Sequence, residues 1–146
     1  MQTPLSALLK DKGYRIYSIS AQATCQECAT KLNLYGIGAM LVMDNDKLEG
    51  IISERDFVRK LMTSQKEIST VKVAEIMTKE LITVPPTATV QEAMRIVTQK
   101  RIRHLPVIDH GKLLGLISIG DLTRWVMLEQ EQEIAALTGY IHGTPR

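Results

Sequence analysis

Shifted by 65 residues, the chain lies on itself: residues 16–62 cover residues 81–127 without a gap. Ala23, Thr24, Gln26 and Glu27 meet Ala88, Thr89, Gln91 and Glu92. Val42 and Asp44 meet Val107 and Asp109. Lys47, Leu48, Gly50, Ile52, Ser53 and Asp56 meet Lys112, Leu113, Gly115, Ile117, Ser118 and Asp121. Arg59 and Met62 meet Arg124 and Met127. A repeat of this length buries little apolar surface by itself, so the duplication predicts two small units sharing a core. With 45% hydrophobic residues but one Trp, one Phe and four Tyr, that core must be mainly aliphatic.

Each repeat has one local plan. A short extended piece, IYSIS at 16–20 or LITVP at 81–85, comes first. Thr24 and Thr89 each stand three residues before a glutamate, the spacing of a capping box, so a helix follows. Its apolar stripe is Cys25, Cys28, Ala29 and Leu32 in the first repeat, and Val90, Ala93, Met94 and Val97 in the second. A strand (GAMLVM or HLPVI), a polar turn (DND or DHG) and a second strand (LEGIIS or LLGLIS) come next. A second helix starts after Ser53 or Ser118. The fold class is α/β (α+β), two β-α-β-β-α units in tandem.

The predicted domains are residues 10–65 and 76–130, with a linker at 66–75 and a helix end and tail at 131–146. Val73, Ile76 and Met77 make the end of the connecting segment amphipathic, so it reads as a short helix entering the second repeat. Beyond Leu128 the last helix continues with a charged face of Glu129, Glu131 and Glu133, and Gly139 and Gly143 are expected to loosen its end. Leu128, Ile134 and Leu137 are candidates to face a partner subunit.

Several functions are disfavoured. Eighteen basic and sixteen acidic residues leave a net charge of +2 and no basic run, which argues against nucleic acid. The N-terminal segment lacks the apolar stretch of a signal peptide or membrane span, so the expected location is cytoplasmic, with no membrane partner. Cys25-x-x-Cys28 has the spacing of half a zinc site or a redox pair, but there is no second such pair. Val90 and Ala93 occupy the matching positions, so the cysteines read as small core residues. No nucleophile elbow, zinc-protease motif or P-loop is present, and the chain is expected not to be an enzyme.

The doubled junctions GIISERD and GLISIGD hold the remaining chemistry. Ser53 and Asp56 stand three apart, as do Ser118 and Asp121. Serine at the N-cap and aspartate three residues on satisfy exposed backbone N–H groups, which alone explains the pattern. The same pair suits a nucleotide: a carboxylate accepts from both ribose hydroxyls, and hydroxyl and helix N–H groups meet a phosphate. Gly50 and Gly115 would let backbone approach a ligand closely. Arg103 and His104 add basic donors in the second repeat only, where the first has Gly38 and Ala39. Arg55 is a further candidate phosphate contact, matched by Gly120 in the second repeat.

IMT at 76–78, LITVPPTATVQEAMRIV at 81–97, RHLPVID at 103–109 and the two junctions resemble a tandem pair of CBS domains, the regulatory module named after cystathionine beta-synthase. The resemblance covers about residues 10–130, and GIISERD together with RHLPVID looks like the small stand-alone bacterial proteins of the family. It implies pseudo-twofold symmetry and clefts that take AMP, ADP, ATP, NAD(H) or S-adenosylmethionine. By this resemblance the hydroxyl and ribose-binding carboxylate fall on Ser53 and Asp56, and on Ser118 and Asp121. Residues framing the base fall on Ser18, Ile19 and Ser20, and on Thr83, Val84 and Pro85. Phosphate contacts fall on Arg103 and His104, in the same motif as Pro106, and Gly120 lies in the second junction. A homodimer and a separate regulated protein are the implied partners. The expected function is a non-catalytic module that binds an adenosine-bearing ligand and modulates another chain. The alternatives are an interaction module with empty clefts, and a sensor of S-adenosylmethionine.

Overall fold

The structure, a computed structural model, describes residues 2–141. The chain divides into two compact units. The first runs from Arg15 to Ile82; the second joins the residues up to Tyr14 to those from Thr83 on.

In the first unit, β1 (Ser18–Ile19) leads to α2 (Cys25–Tyr35), β2 (Ala39–Asp44) and β3 (Lys47–Ser53). The sheet order is β1-β2-β3, with β1 parallel to β2 and β3 antiparallel to it. Thr24 caps α2, its Oγ1 accepting Glu27 N–H at 3.1 Å. Cys25, Cys28 and Leu32 are the buried stripe of that helix, packed with Met40, Val42 and Ile52 from the strands. After β3, a single α-turn, α3 (Glu54–Asp56), passes into a π-helical segment (Phe57–Leu61) and a 3-10 turn (Met62–Ser64). Gln65 ends it in the left-handed region, with φ 62°.

A short helix, α4 (Val73–Ile76), closes this unit. The segment expected to lead into the second repeat therefore packs on the first. Its backbone joins α2's approach: Val73 N–H donates to Ala23 O at 2.8 Å, and Cys25 N–H donates to Val71 O at 2.8 Å. Val71, Val73, Ile76 and Met77 are all in the first unit's core.

The second unit repeats the plan at the same 65-residue offset. It contains α5 (Val90–Lys100), β4 (His104–Asp109), β5 (Lys112–Ser118) and α6 (Ile119–Ile141). The strand register repeats too: Ala39 faces Ser53, and His104 faces Ser118. Even the register shift recurs, after Val42 in β2 and after Val107 in β4. The opening strand expected at 81–85 is reduced to one parallel bridge, Val84 with Val107. Thr89 makes the full capping box with Glu92. The last helix runs through Gly139 without a break, against the loosening expected there; Gly143 lies outside the described residues.

The helix that matches α4 comes from the far end of the chain. It is α1 (Leu5–Lys12), whose Leu5, Leu8 and Leu9 are buried in the second unit. Leu5 N–H donates to Ala88 O at 2.8 Å, and Val90 N–H donates to Thr3 O at 2.9 Å. These bonds mirror those of Val73 and Cys25.

The repeated glycines accommodate these helices. A Cβ on Gly50 would lie 2.7 Å from the Thr78 carbonyl oxygen and 3.2 Å from Met77 Sδ. A Cβ on Gly115 would lie 2.8 Å from Leu9 Cδ2. The close approach inferred from sequence is real, but the near neighbour is the chain itself. Backbone yields less readily than the tip of a leucine. Gly50→Ala is therefore expected to cost about 2 kcal/mol and Gly115→Ala about half that or less. Thermal denaturation of the two variants checks this, and equal losses would contradict it.

Candidate functional site

Both serine–aspartate junctions form where the second hairpin strand of a unit turns into a helix. In the first, Ser53 N–H and Oγ–H donate to Asp56 Oδ2 at 2.9 and 3.1 Å. Asp56 N–H donates back to Ser53 Oγ at 3.4 Å. The other oxygen, Oδ1, accepts from Thr78 Oγ1 at 3.0 Å and pairs with Lys60 Nζ at 3.1 Å. Lys60 is itself held by the Ile76 carbonyl at 3.1 Å. The Asp56 side chain is 9% exposed, and both of its oxygens have partners inside the unit.

The second junction repeats the cap but not the rest. Ser118 N–H donates to Asp121 Oδ2 at 2.8 Å, and Asp121 N–H donates to Ser118 Oγ at 3.0 Å. Lys12 Nζ, arriving from α1, sits 2.6 Å from the same Oδ2 and donates to Leu116 O at 2.7 Å. In the first unit the matching Ile51 carbonyl takes Thr78 N–H at 2.8 Å instead. Among the described residues, the hydrogen bonds and the ion pair to Asp121 all fall on Oδ2. Its side chain is 25% exposed.

The capping function is thus present at both places. The amide of the first helical residue is occupied as well: Glu54 N–H donates to Gly38 O at 3.0 Å and Ile119 N–H to Arg103 O at 2.8 Å. A phosphate at either helix start would find the first and third amides already bonded, which moves the burden of anion binding onto side chains.

Those side chains gather at the second junction. His104 opens β4 directly opposite Ser118, and Arg103 precedes it. Burial lowers the His104 pKa, Lys12 and Arg103 lower it further, and Asp121 opposes them in part. The imidazole is therefore neutral at pH 7, able to donate from one nitrogen and accept at the other. Burial would raise the Asp121 pKa, but the Lys12 and Ser118 hydrogen bonds outweigh it and hold the carboxyl below its usual range. In the first unit Gly38 and buried Ala39 stand at the places of Arg103 and His104, so that basic pair has no counterpart there.

The other predicted residues lie along the strands. Ile19 and Val84 are buried, while Ser18, Ser20, Thr83 and Pro85 beside them are exposed. Val84 N–H donates to Pro106 O at 3.1 Å, so 83–85 runs beside buried Pro106 rather than beside His104. Arg55 is the second residue of α3 and half-buried; Gly120, its match, is exposed. Sequence reasoning missed Lys60, Thr78 and Lys12. Lys60 carried a signal, four residues after Asp56 on a helix. Lys12 carried none, being 109 residues from Asp121.

Cys25 and Cys28 are free thiols with no exposed surface. Burial pushes the Cys28 pKa up to about 12, with Cys25 adding to it, and burial followed by Glu75 raises that of Cys25. Thiolate is the reactive form, so the native protein is expected to resist a thiol reagent at about pH 8 and to react once unfolded. Rapid reaction of the folded protein would overturn the core assignment. Among the described residues no cluster of three metal-ligating side chains occurs, and no helix is long and apolar enough to cross a membrane.

The sequence pattern of the CBS domain family matches residues 12–63 and 73–128. The mitochondrial CBS domain-containing protein CBSX3 of Arabidopsis thaliana is 35% identical over 97% of this chain and 73% of its own length. A solved structure of a protein with CBS domains from Burkholderia ambifaria superimposes with TM-score 0.84 at 40% identity, covering 88% of this chain and 96% of that one. A hexameric CBS-CP12 protein from cyanobacteria is similar at TM-score 0.74 and 28% identity, over 84% of this chain and 67% of that one. The chain belongs to the CBS domain family, as a tandem pair of CBS units. CBS domains are non-catalytic regulatory modules, and a regulatory, ligand-sensing role follows for this chain.

Proposed function

We propose that the chain senses an adenosine-bearing ligand, with AMP, ADP, ATP or NAD(H) preferred over S-adenosylmethionine, and passes its state to a separate protein. The observation that carries this is the cluster of Lys12, Arg103, His104, Ser118 and Asp121 in one unit. It sets an ionised carboxylate suited to ribose hydroxyls beside cationic donors suited to phosphate. S-adenosylmethionine brings a positive sulfonium and no phosphate, so it makes poor use of that charge. Regulation then requires only that the ligand bind one arrangement of the protein better than another.

A homodimer is part of the proposal. Exposed Val58 and Met62 follow the first junction, and exposed Ile119, Met127 and Leu128 follow the second. The hexameric CBS-CP12 relative is a precedent for assembly in this family. Within an oligomer, self-association would cover these side chains.

Calorimetry on protein stripped of carried-over ligand tests the reading, using AMP, ATP, NADH and S-adenosylmethionine. Saturable binding of a phosphorylated member is expected, with a matching rise in Tm. Silence from all four, with unchanged melting, would shift the assignment to a protein-interaction module.

A further inference from the structure

We propose that the two matched aspartates have divided roles: Asp121 is the carboxylate that receives the ligand, and Asp56 is a structural acceptor that takes none. The inference rests on the adenosine reading above and deepens it to one ligand site per chain. The two residues are equivalent in sequence, so the difference must come from what surrounds them.

Around Asp56 the acceptor capacity is filled. Oδ2 holds the Ser53 backbone and hydroxyl, and Oδ1 holds Thr78 and Lys60. Only 9% of the side chain is exposed. A ribose would have to displace Thr78 and Lys60 from the carboxylate, a loss that two new hydrogen bonds only balance. Lys60 is also bound to the Ile76 carbonyl, within the same unit.

Around Asp121 one oxygen does the internal work. Ser118 and Lys12 both bond Oδ2, and the side chain is 25% exposed, so that among the described residues Oδ1 is left to accept from outside. Lys12 is a positioning residue here. Its bonds to Leu116 O and Oδ2 fix the carboxylate's rotation, and an ammonium has a third N–H to offer an anion. Arg103 and His104, at the start of β4 and opposite Ser118, are further donors near the carboxylate, with no counterpart at Gly38 and Ala39. At the second junction a nucleoside phosphate therefore finds an acceptor oxygen beside Lys12, Arg103 and His104, whereas at the first the carboxylate is already saturated by its own unit.

Two measurements decide this. First, carbodiimide-driven labelling of carboxyls on the unliganded protein, read by mass spectrometry, is expected to mark Asp121 and spare Asp56. Saturating ATP or AMP is expected to protect Asp121. Second, calorimetry is expected to give one ligand per chain, with Asp121→Asn weakening it about tenfold or more and Asp56→Asn keeping it within about threefold. The labelling needs no variant, so it stands even where Asp56→Asn folds poorly. Two ligands per chain, or Asp121 labelling unchanged at saturation, would overturn the division alone. No binding of any nucleotide by the unaltered protein would overturn the adenosine reading, and this division with it.

Discussion

Deleting residues 1–14 is expected to unfold the second unit while leaving the first, which those residues directly precede, largely intact. The cause is the destination of α1. Leu5, Leu8 and Leu9 are at most 3% exposed, and all three belong to the unit built from the residues that begin at Thr83. Without them α5 and the β4–β5 hairpin lose one wall, and the Ala88 and Pro86 carbonyls lose the Leu5 and Ser6 amides. The single change Leu9→Ala should cost about 3 kcal/mol on the same grounds, from lost transfer energy and the cavity over Gly115. Hydrogen exchange localises the effect. Protection is expected to fall in residues 84–118 and to persist in residues 39–53. The reverse pattern would place α1 with the first unit.

Asp56→Ala should be the most damaging polar substitution. It strands Ser53 N–H and Thr78 Oγ1 and takes the carboxylate from Lys60 Nζ, which keeps the Ile76 carbonyl. Removing one partner from such a buried set costs about 3 kcal/mol, more than an ordinary cap. For a chain of this size that is a fall in Tm of roughly 10 °C. The matched change Asp121→Ala removes a cap and a partly exposed ion pair, so about 1 kcal/mol is expected. Equal losses, read by urea or thermal denaturation, would mean the two carboxylates are structurally equivalent after all.

That contrast marks where the sequence stopped being informative. Ser53–Asp56 and Ser118–Asp121 were visible as pairs at cap spacing, and both are caps. The cysteines were legible as core because Val90 and Ala93 share their positions. The hairpins were legible because strand periodicity, turn residues and a glycine recur at one offset. Each of these features is local: caps, strand alternation and turns depend on residues a few positions apart.

Gly50 and Gly115 show the limit. The need for close approach was correct, but a glycine does not say what approaches it. The connecting segment shows it again. Val73, Ile76 and Met77 announced an amphipathic helix, yet amphipathicity names no partner, and the helix closed the first unit instead of opening the second.

By itself, then, the sequence determined the duplication, the order of elements in each repeat, the caps and the hairpins. The tertiary structure decided which flanking helix completes which unit, and so what meets each aspartate. Thr78 and Lys60 bond Oδ1 of Asp56, while Lys12 reaches Oδ2 of Asp121 from 109 residues away. The physical reason is that exposure and hydrogen-bond saturation are set by neighbours in space. Two identical local motifs acquire different chemistry when different segments are packed against them.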